Sequence, residues 1–196
     1  LKSVASSVVY CDSNGTWDDL QGSINQGVNP AGSLTYEAYR DTPYKMYFWR
    51  HNQSDELNFA YQMSHQWLTS SAVRPHMHVI PMSSGSGVFY ITGAYAWVGV
   101  SGTLPANTSW TTFAASRSFT PADQHQHLIV SLGEVQPRVN SRVSDMLLIH
   151  VERFPASDTY ETSKSPGTAA ANVGLLSADV HYRKDVLGTV DEIPSY

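Results

Sequence analysis

Between Glu56 and Met63 the chain alternates strictly, with Leu57, Phe59, Tyr61 and Met63 on one parity and Glu56, Asn58, Ala60 and Gln62 on the other. Successive side chains of a strand point to opposite faces, so a period of two suits a strand with one face in a core and one in water. The same texture recurs. LTYEAY from Leu34 and YKMYFW from Tyr44 precede this segment. RPHMHVIP from Arg74, VFYITGAYAWVGV from Val88, Trp110 to Phe113, Gln124 to Leu132, DMLLIHVERF from Asp145 and VGLLSADVHYRK from Val173 follow it. With no amphipathic helix and no βαβ rhythm, these runs predict an all-β chain: an antiparallel β-sandwich or jelly roll of about nine or ten strands. Eleven Tyr, five Trp and six Phe suit a pleated surface.

Several local expectations follow from the same patterns. VFYITGAYAWVGV and DMLLIHVERF are apolar on both parities and are expected to be central strands buried on both sides. Gly93 inside the first signals a bulge or bend. In the last strand Leu176, Ala178, Val180 and Tyr182 should face one way, and Ser177, Asp179, His181 and Arg183 the other. Residues 1–33 hold Gly15, Gly22, Gly27, Pro30 and Gly32 without a sustained period, and are expected to be an N-terminal arm. Residues 34–190 form the sandwich domain and 191–196 a C-terminal tail. The polar stretch from Pro155 to Asn172 exceeds an ordinary hairpin connection and is expected to be a functional loop or a mobile excursion.

A net charge of -5 and a pI near 5.8, with no clustered Lys and Arg, argue against nucleic acid as a partner. No apolar run approaches the roughly 20 residues of a membrane helix, and LKSVASSVVYC lacks the order of a signal peptide, so a soluble protein without a membrane partner is expected. Cys11 is the single cysteine, which excludes an internal disulfide framework.

Chemistry, if there is any, lies with the eight histidines. His76 and His78 share one face of their strand, with Met77 and Val79 opposite, and facing imidazoles are a metal-binding pattern. His125 and His127 repeat the alternation on a second expected strand, and His65, His125, His127 or His181 would complete a coordination sphere. The His-x-His strand resembles that of cupin enzymes, whose motif adds a Glu shortly after the second His. Here Val79, Ile80, Pro81 and Met82 follow, so that carboxylate is missing. The expectation is no cofactor and no metal, with His76, His78 and His181 as the metal candidates and a metal-dependent β-barrel enzyme as an alternative reading. No G-x-S-x-G motif, P-loop or dinucleotide fingerprint occurs, so no catalytic residue is assigned and no enzyme is expected.

The order TWDDLQGS (Thr16 to Ser23), YQMSHQW (Tyr61 to Trp67), RPHMHVIP (Arg74 to Pro81), ASDTY (Ala156 to Tyr160) and LLSADVHYRKDVLGT (Leu175 to Thr189) resembles small virion proteins encoded in tailed-phage and prophage structural gene clusters. Their signature is a His-x-Trp segment, then Pro-His-x-His-Trp, then Asp-x-His-Tyr-x-x-Asp-x-x-Gly. The matching positions are His65, Trp67, Pro75, His76, His78, Asp179, His181, Tyr182, Asp185 and Gly188, and Val79 stands where the family commonly has Trp. The resemblance implies a bacteriophage structural protein in the virion, with a sandwich or jelly-roll body and no enzymatic activity. It also implies a homo-oligomer, a trimer, in contact with the major capsid protein or other virion proteins. Capsid decoration or cement is the first reading, and a receptor- or glycan-binding fibre or tail knob the second. On either, residues 1–33 and the Pro155 to Asn172 loop are expected to make intersubunit or capsid contacts.

Overall fold

The computed structural model describes residues 17–21, 23–26, 34–50, 55–153, 160 and 172–184. Eleven strands run through them in chain order: β1 (Trp17–Gln21), β2 (Ser23–Gln26), β3 (Thr35–Ala38), β4 (Lys45–Trp49), β5 (Glu56–Gln62), β6 (Arg74–Pro81), β7 (Gly87–Val98), β8 (Thr111–Phe119), β9 (Leu128–Ser131), β10 (Met146–Arg153) and β11 (Val173–Arg183). They form two antiparallel sheets. One has the order β3-β4-β11-β6-β9, with β1 also on β11, and the other the order β2-β5-β10-β7-β8. The protein is an all-β antiparallel sandwich of the jelly-roll class. Among the described residues no helix is long and apolar enough to cross a membrane.

The inner faces carry the parity that the alternation predicts. Leu57, Phe59 and Tyr61 of β5, Leu147, Ile149 and Val151 of β10, and Phe89 and Ile91 of β7 meet Met77 and Val79 of β6 and Val173, Leu175, Ala178 and Val180 of β11 in one apolar cluster. Each fully buried side chain of this size contributes about 1.5–3 kcal/mol relative to exposure. β10 and β7 lie in the interior of their sheet, yet among the described residues full burial in β10 is confined to one parity and in β7 most outward residues are half-buried. That corrects the expectation of strands covered on both sides. In β7, register with both neighbours runs unbroken through Gly93. The glycine answers to close packing instead: an added Cβ would collide with the His150 carbonyl oxygen and lie 2.6 Å from Phe113 Cζ.

Two segments differ from their sequence expectation. Within the presumed arm, β1 pairs with β11 and β2 with β5, so residues 17–26 clamp one strand of each sheet and account for the two strands beyond nine. The remainder of residues 1–33 lies outside the described residues. The expected strand from Gln124 to Leu132 is strand only over Leu128–Ser131, because Pro121–Asp123 form a 3-10 turn with a capping box and His125 takes a left-handed φ of 65°. Of the Pro155 to Asn172 loop, Tyr160 and Asn172 are described. The Tyr160 ring is fully buried against Phe119, and its hydroxyl donates to the Ser83 carbonyl at 3.2 Å.

Candidate functional site

β11 carries one irregularity that decides where its polar residues point. Its register against β6 shifts between Leu175 and Ser177, placing a bulge at Leu176. An extra residue in one strand inverts the facing parity beyond it. Before the bulge, Leu175 faces the core and Gly174 lies outward beneath Met46 and Phe48; after it, Ala178, Val180 and Tyr182 face the core. The expected inward set therefore holds for those last three but not for Leu176, which packs outward with Met46, Phe48 and Ile80. Ser177, Asp179 and His181 turn to the outer face, the face that carries His76 and His78.

On that face Asp179 is registered between Gln21 of β1 and His76 of β6, and His181 between Asp19 of β1 and Arg74 of β6. The Nε2 atoms of His76 and His78 lie 2.9 Å apart. Asp179 Oδ2 is 2.9 Å from His78 Nε2 and 3.9 Å from His76 Nε2. The His181 ring rests on His76 with centroids 4.3 Å apart, while its Nε2 binds Asp19 Oδ1 at 2.7 Å. His127 Nε2 closes on His78 Nδ1 from the loop before β9. Four histidines from three stretches of the chain thus meet in one cluster, with Asp179 on His76 and His78 and Asp19 on His181.

The centre of the cluster is shielded from water, while His181 and His127 lie at its open rim. The side chains of His76 and Asp179 are 6% and 8% exposed and that of His78 17%. Burial, more than the neighbouring His181, holds His76 below the usual histidine range, so its ring is neutral near pH 7. Asp179 Oδ1 is buried and has no hydrogen-bond partner among the described residues. Beside the cluster, Lys184 holds the Asp18 carboxyl below the usual range through a 2.7 Å ion pair, and Tyr182 donates to the same Asp18 oxygen at 3.3 Å. Both contacts fasten β1 to the end of β11.

The candidates divide accordingly. His76, His78 and Asp179 converge; His181 stacks against them with its Nε2 already engaged; and the carboxylate sought after His78 comes from across the ladder. Sequence reasoning left Asp179 out of the metal set because its partner strand lies about a hundred residues away. The signal was Asp179 standing two residues before His181, on the parity of a strand already bearing a histidine. His65 does not join: its Nε2 pairs with Ser144 Oγ at 2.9 Å. His125 faces Tyr39 edge-on instead. Trp67 bridges to Lys184 and stacks on Trp97 with centroids 5.4 Å apart and planes 5° from parallel. Pro75 is buried in β6 opposite Val180, and Tyr182 is buried in β11. Asp185 and Gly188 lie outside the described residues.

A second polar group lies on the outer face of the other sheet, where Glu56, His150 and Glu152 stand together. His150 Nδ1 is 2.9 Å from Asn58 Oδ1. Beside it a groove of about 310 Å³ is lined by Asn58, Ala94, Asn107, Trp110 and His150.

No protein-family model matches the chain, and no curated protein does. Solved structures with a similar fold include the CBM35 from Cellvibrio japonicus Abf62, at 12% identity and a TM-score of 0.39 over 87% of this chain and 99% of that one. The Clostridium thermocellum Xyn10B CBM22-1–GH10 modules complexed with xylohexaose match at 9% identity and a TM-score of 0.37, over 89% of this chain and 27% of that one. Xyl-CBM35 in complex with a glucuronic acid-containing disaccharide matches at 11% and 0.34, over 89% and 95%. The fold class rests on the strand pairing itself and not on these likenesses.

Proposed function

We propose that this protein is a structural component of a tailed-phage virion, a capsid decoration or cement subunit that works as a homotrimer through surface contacts and not through catalysis. One observation carries the reading. Of the positions matching the phage signature, His65, Trp67, Pro75, His76, His78, Asp179, His181 and Tyr182 are described, and they belong to one connected unit: the β6–β11 ladder and the turn that carries Trp67 against its end. Chance matches of short motifs would scatter over the fold. Immunogold labelling and mass spectrometry of purified particles test the reading. Stoichiometric protein on the capsid is the expected result, and particles without the chain would sink it.

A second reading, a glycan-binding knob, is favoured by the groove beside His150. Its lining combines the small side chain of Ala94, the amides of Asn58 and Asn107 and the half-buried Trp110. An aromatic face beside convergent amides suits a sugar, which has both an apolar C–H face and hydroxyls. A glycan array with the parent and Trp110→Ala decides it: binding that the substitution abolishes supports the knob, and an empty array removes it.

A further inference from the structure

We infer that His76, His78 and Asp179 form a mononuclear site for a divalent transition-metal ion of the zinc type, one that ties β6 to β11. The donor geometry comes first. Separations of 2.9, 2.9 and 3.9 Å lie on either side of the roughly 3.3 Å between tetrahedral ligands at zinc bond lengths of about 2.0–2.1 Å. Small rotations of the three side chains bring all three donors to one ion, and no strand has to move.

The surroundings suit an ion independently of those distances. His76 Nδ1 faces the Arg74 carbonyl oxygen at 3.5 Å, and a carbonyl only accepts, so that contact puts a proton on Nδ1 and favours the tautomer whose Nε2 lone pair faces the centre. His78 Nδ1 is likewise engaged from behind, by His127 Nε2. Outer partners on the second nitrogen are what metal-bound imidazoles characteristically have. Asp179 is a buried carboxylate whose partners among the described residues are those two imidazoles, and its Oδ1 has none. A buried anion in that position needs a cation. The set of two imidazoles and one carboxylate, without thiolate, selects zinc and its d-block neighbours over calcium or magnesium, which take oxygen ligands. His78 is the most exposed of the three, so solvent water has access on its side as a further ligand.

The site does not depend on the virion reading. Zinc joins the two central strands of this sheet, and His181, packed on His76 and bonded to Asp19, extends the cluster to β1. The more open group of Glu56, His150 and Glu152 is the competitor that the test has to separate. The purified full chain is loaded with zinc chloride, dialysed against metal-free buffer and measured by elemental analysis and by thermal melting with and without EDTA. One zinc per chain and a melting temperature that falls with EDTA are expected, and Asp179→Asn and His78→Gln should each weaken zinc binding by at least about tenfold in calorimetry. Should either variant fail to fold, cobalt titration of the parent chain reports instead: paramagnetic shifts must appear on the His76 and His78 rings and not on His150. No bound metal with unchanged melting, zinc retained equally by both variants, or shifts on His150 alone would each overturn the site and leave a proton-linked histidine pair in its place.

Discussion

Asp179 on β11 stands directly opposite His76 on β6, and its Oδ2 reaches diagonally to His78 Nε2 at 2.9 Å. The contact exists because the bulge at Leu176 inverts the parity of everything after it. Deleting Leu176 should therefore remove the extra residue and leave a regular ladder, with Leu175 still opposite Val79, Ser177 still opposite His78, and Asp179 and His181 still on the outer face. What is lost is the outward packing of Leu176 on Met46, Phe48 and Ile80. Against a typical stability of about 5–15 kcal/mol, the deletion variant and Leu176→Ala are both expected to fold. Circular dichroism and soluble yield of the two variants check this.

Stability should fall as the solution is acidified below the ordinary histidine range. His76 is held low chiefly by burial and then by His181, and His125 chiefly by burial and then by Arg40. For both, the folded form takes up its proton at lower pH than the unfolded form. Between the two values the unfolded chain binds more protons, so the contribution is complete above about 6.5 and is lost progressively below it. Urea midpoints from pH 8 to pH 5 should decline over that window, and His76→Gln with His125→Gln should flatten the decline. A midpoint that rises on acidification would contradict the assignment.

Trp67 stacks on Trp97, and both indoles are buried. Trp97 donates its Nε1 hydrogen to the Gln136 carbonyl at 3.0 Å, but Trp67 Nε1 has no partner among the described residues. Trp67→Ala should cost about 3–5 kcal/mol through the cavity it opens. Trp67→Phe keeps an aromatic ring and removes an unpaired donor, so it should cost less than about 1.5 kcal/mol. Chemical denaturation of the pair measures the ratio.

Asp55 is fully buried and holds Arg50 through two side-chain bonds, at 2.8 and 3.2 Å, and through the Arg50 backbone N–H at 2.9 Å. Asp55→Ala leaves that guanidinium beside a cavity and the amide without its acceptor, and a loss of about 3–5 kcal/mol is expected. Equilibrium unfolding checks the size; a loss under about 1 kcal/mol would mean that water replaces the carboxylate.

At Gly93 an added methyl would strike the His150 carbonyl and the Phe113 ring. Gly93→Ala should destabilise by about 1–3 kcal/mol, although alanine ordinarily gains on glycine in a strand. Thermal melting gives the sign, and a stabilised variant would show that Phe113 swings aside freely.

The alternation of Leu57, Phe59, Tyr61 and Met63 and the length of the apolar runs were enough to establish a two-layer β fold and to set Met77 and Val79 on one face of their strand, because side-chain parity is a local property of an extended chain. It was also enough to place His76 and His78 together on the opposite face, which the folded sheet shows to be the outer one. Which sheet each strand joins, and in what register, was not local. The pairing of residues 17–26 with β11 and β5, the turn that keeps His125 out of β9, and the bulge at Leu176 all follow from contacts between segments far apart in the chain. Asp179 shows the difference most plainly: its parity relative to the core is set by one extra residue in a ladder whose other strand lies about a hundred residues away, so only the folded sheet could bring its carboxylate to the two histidines.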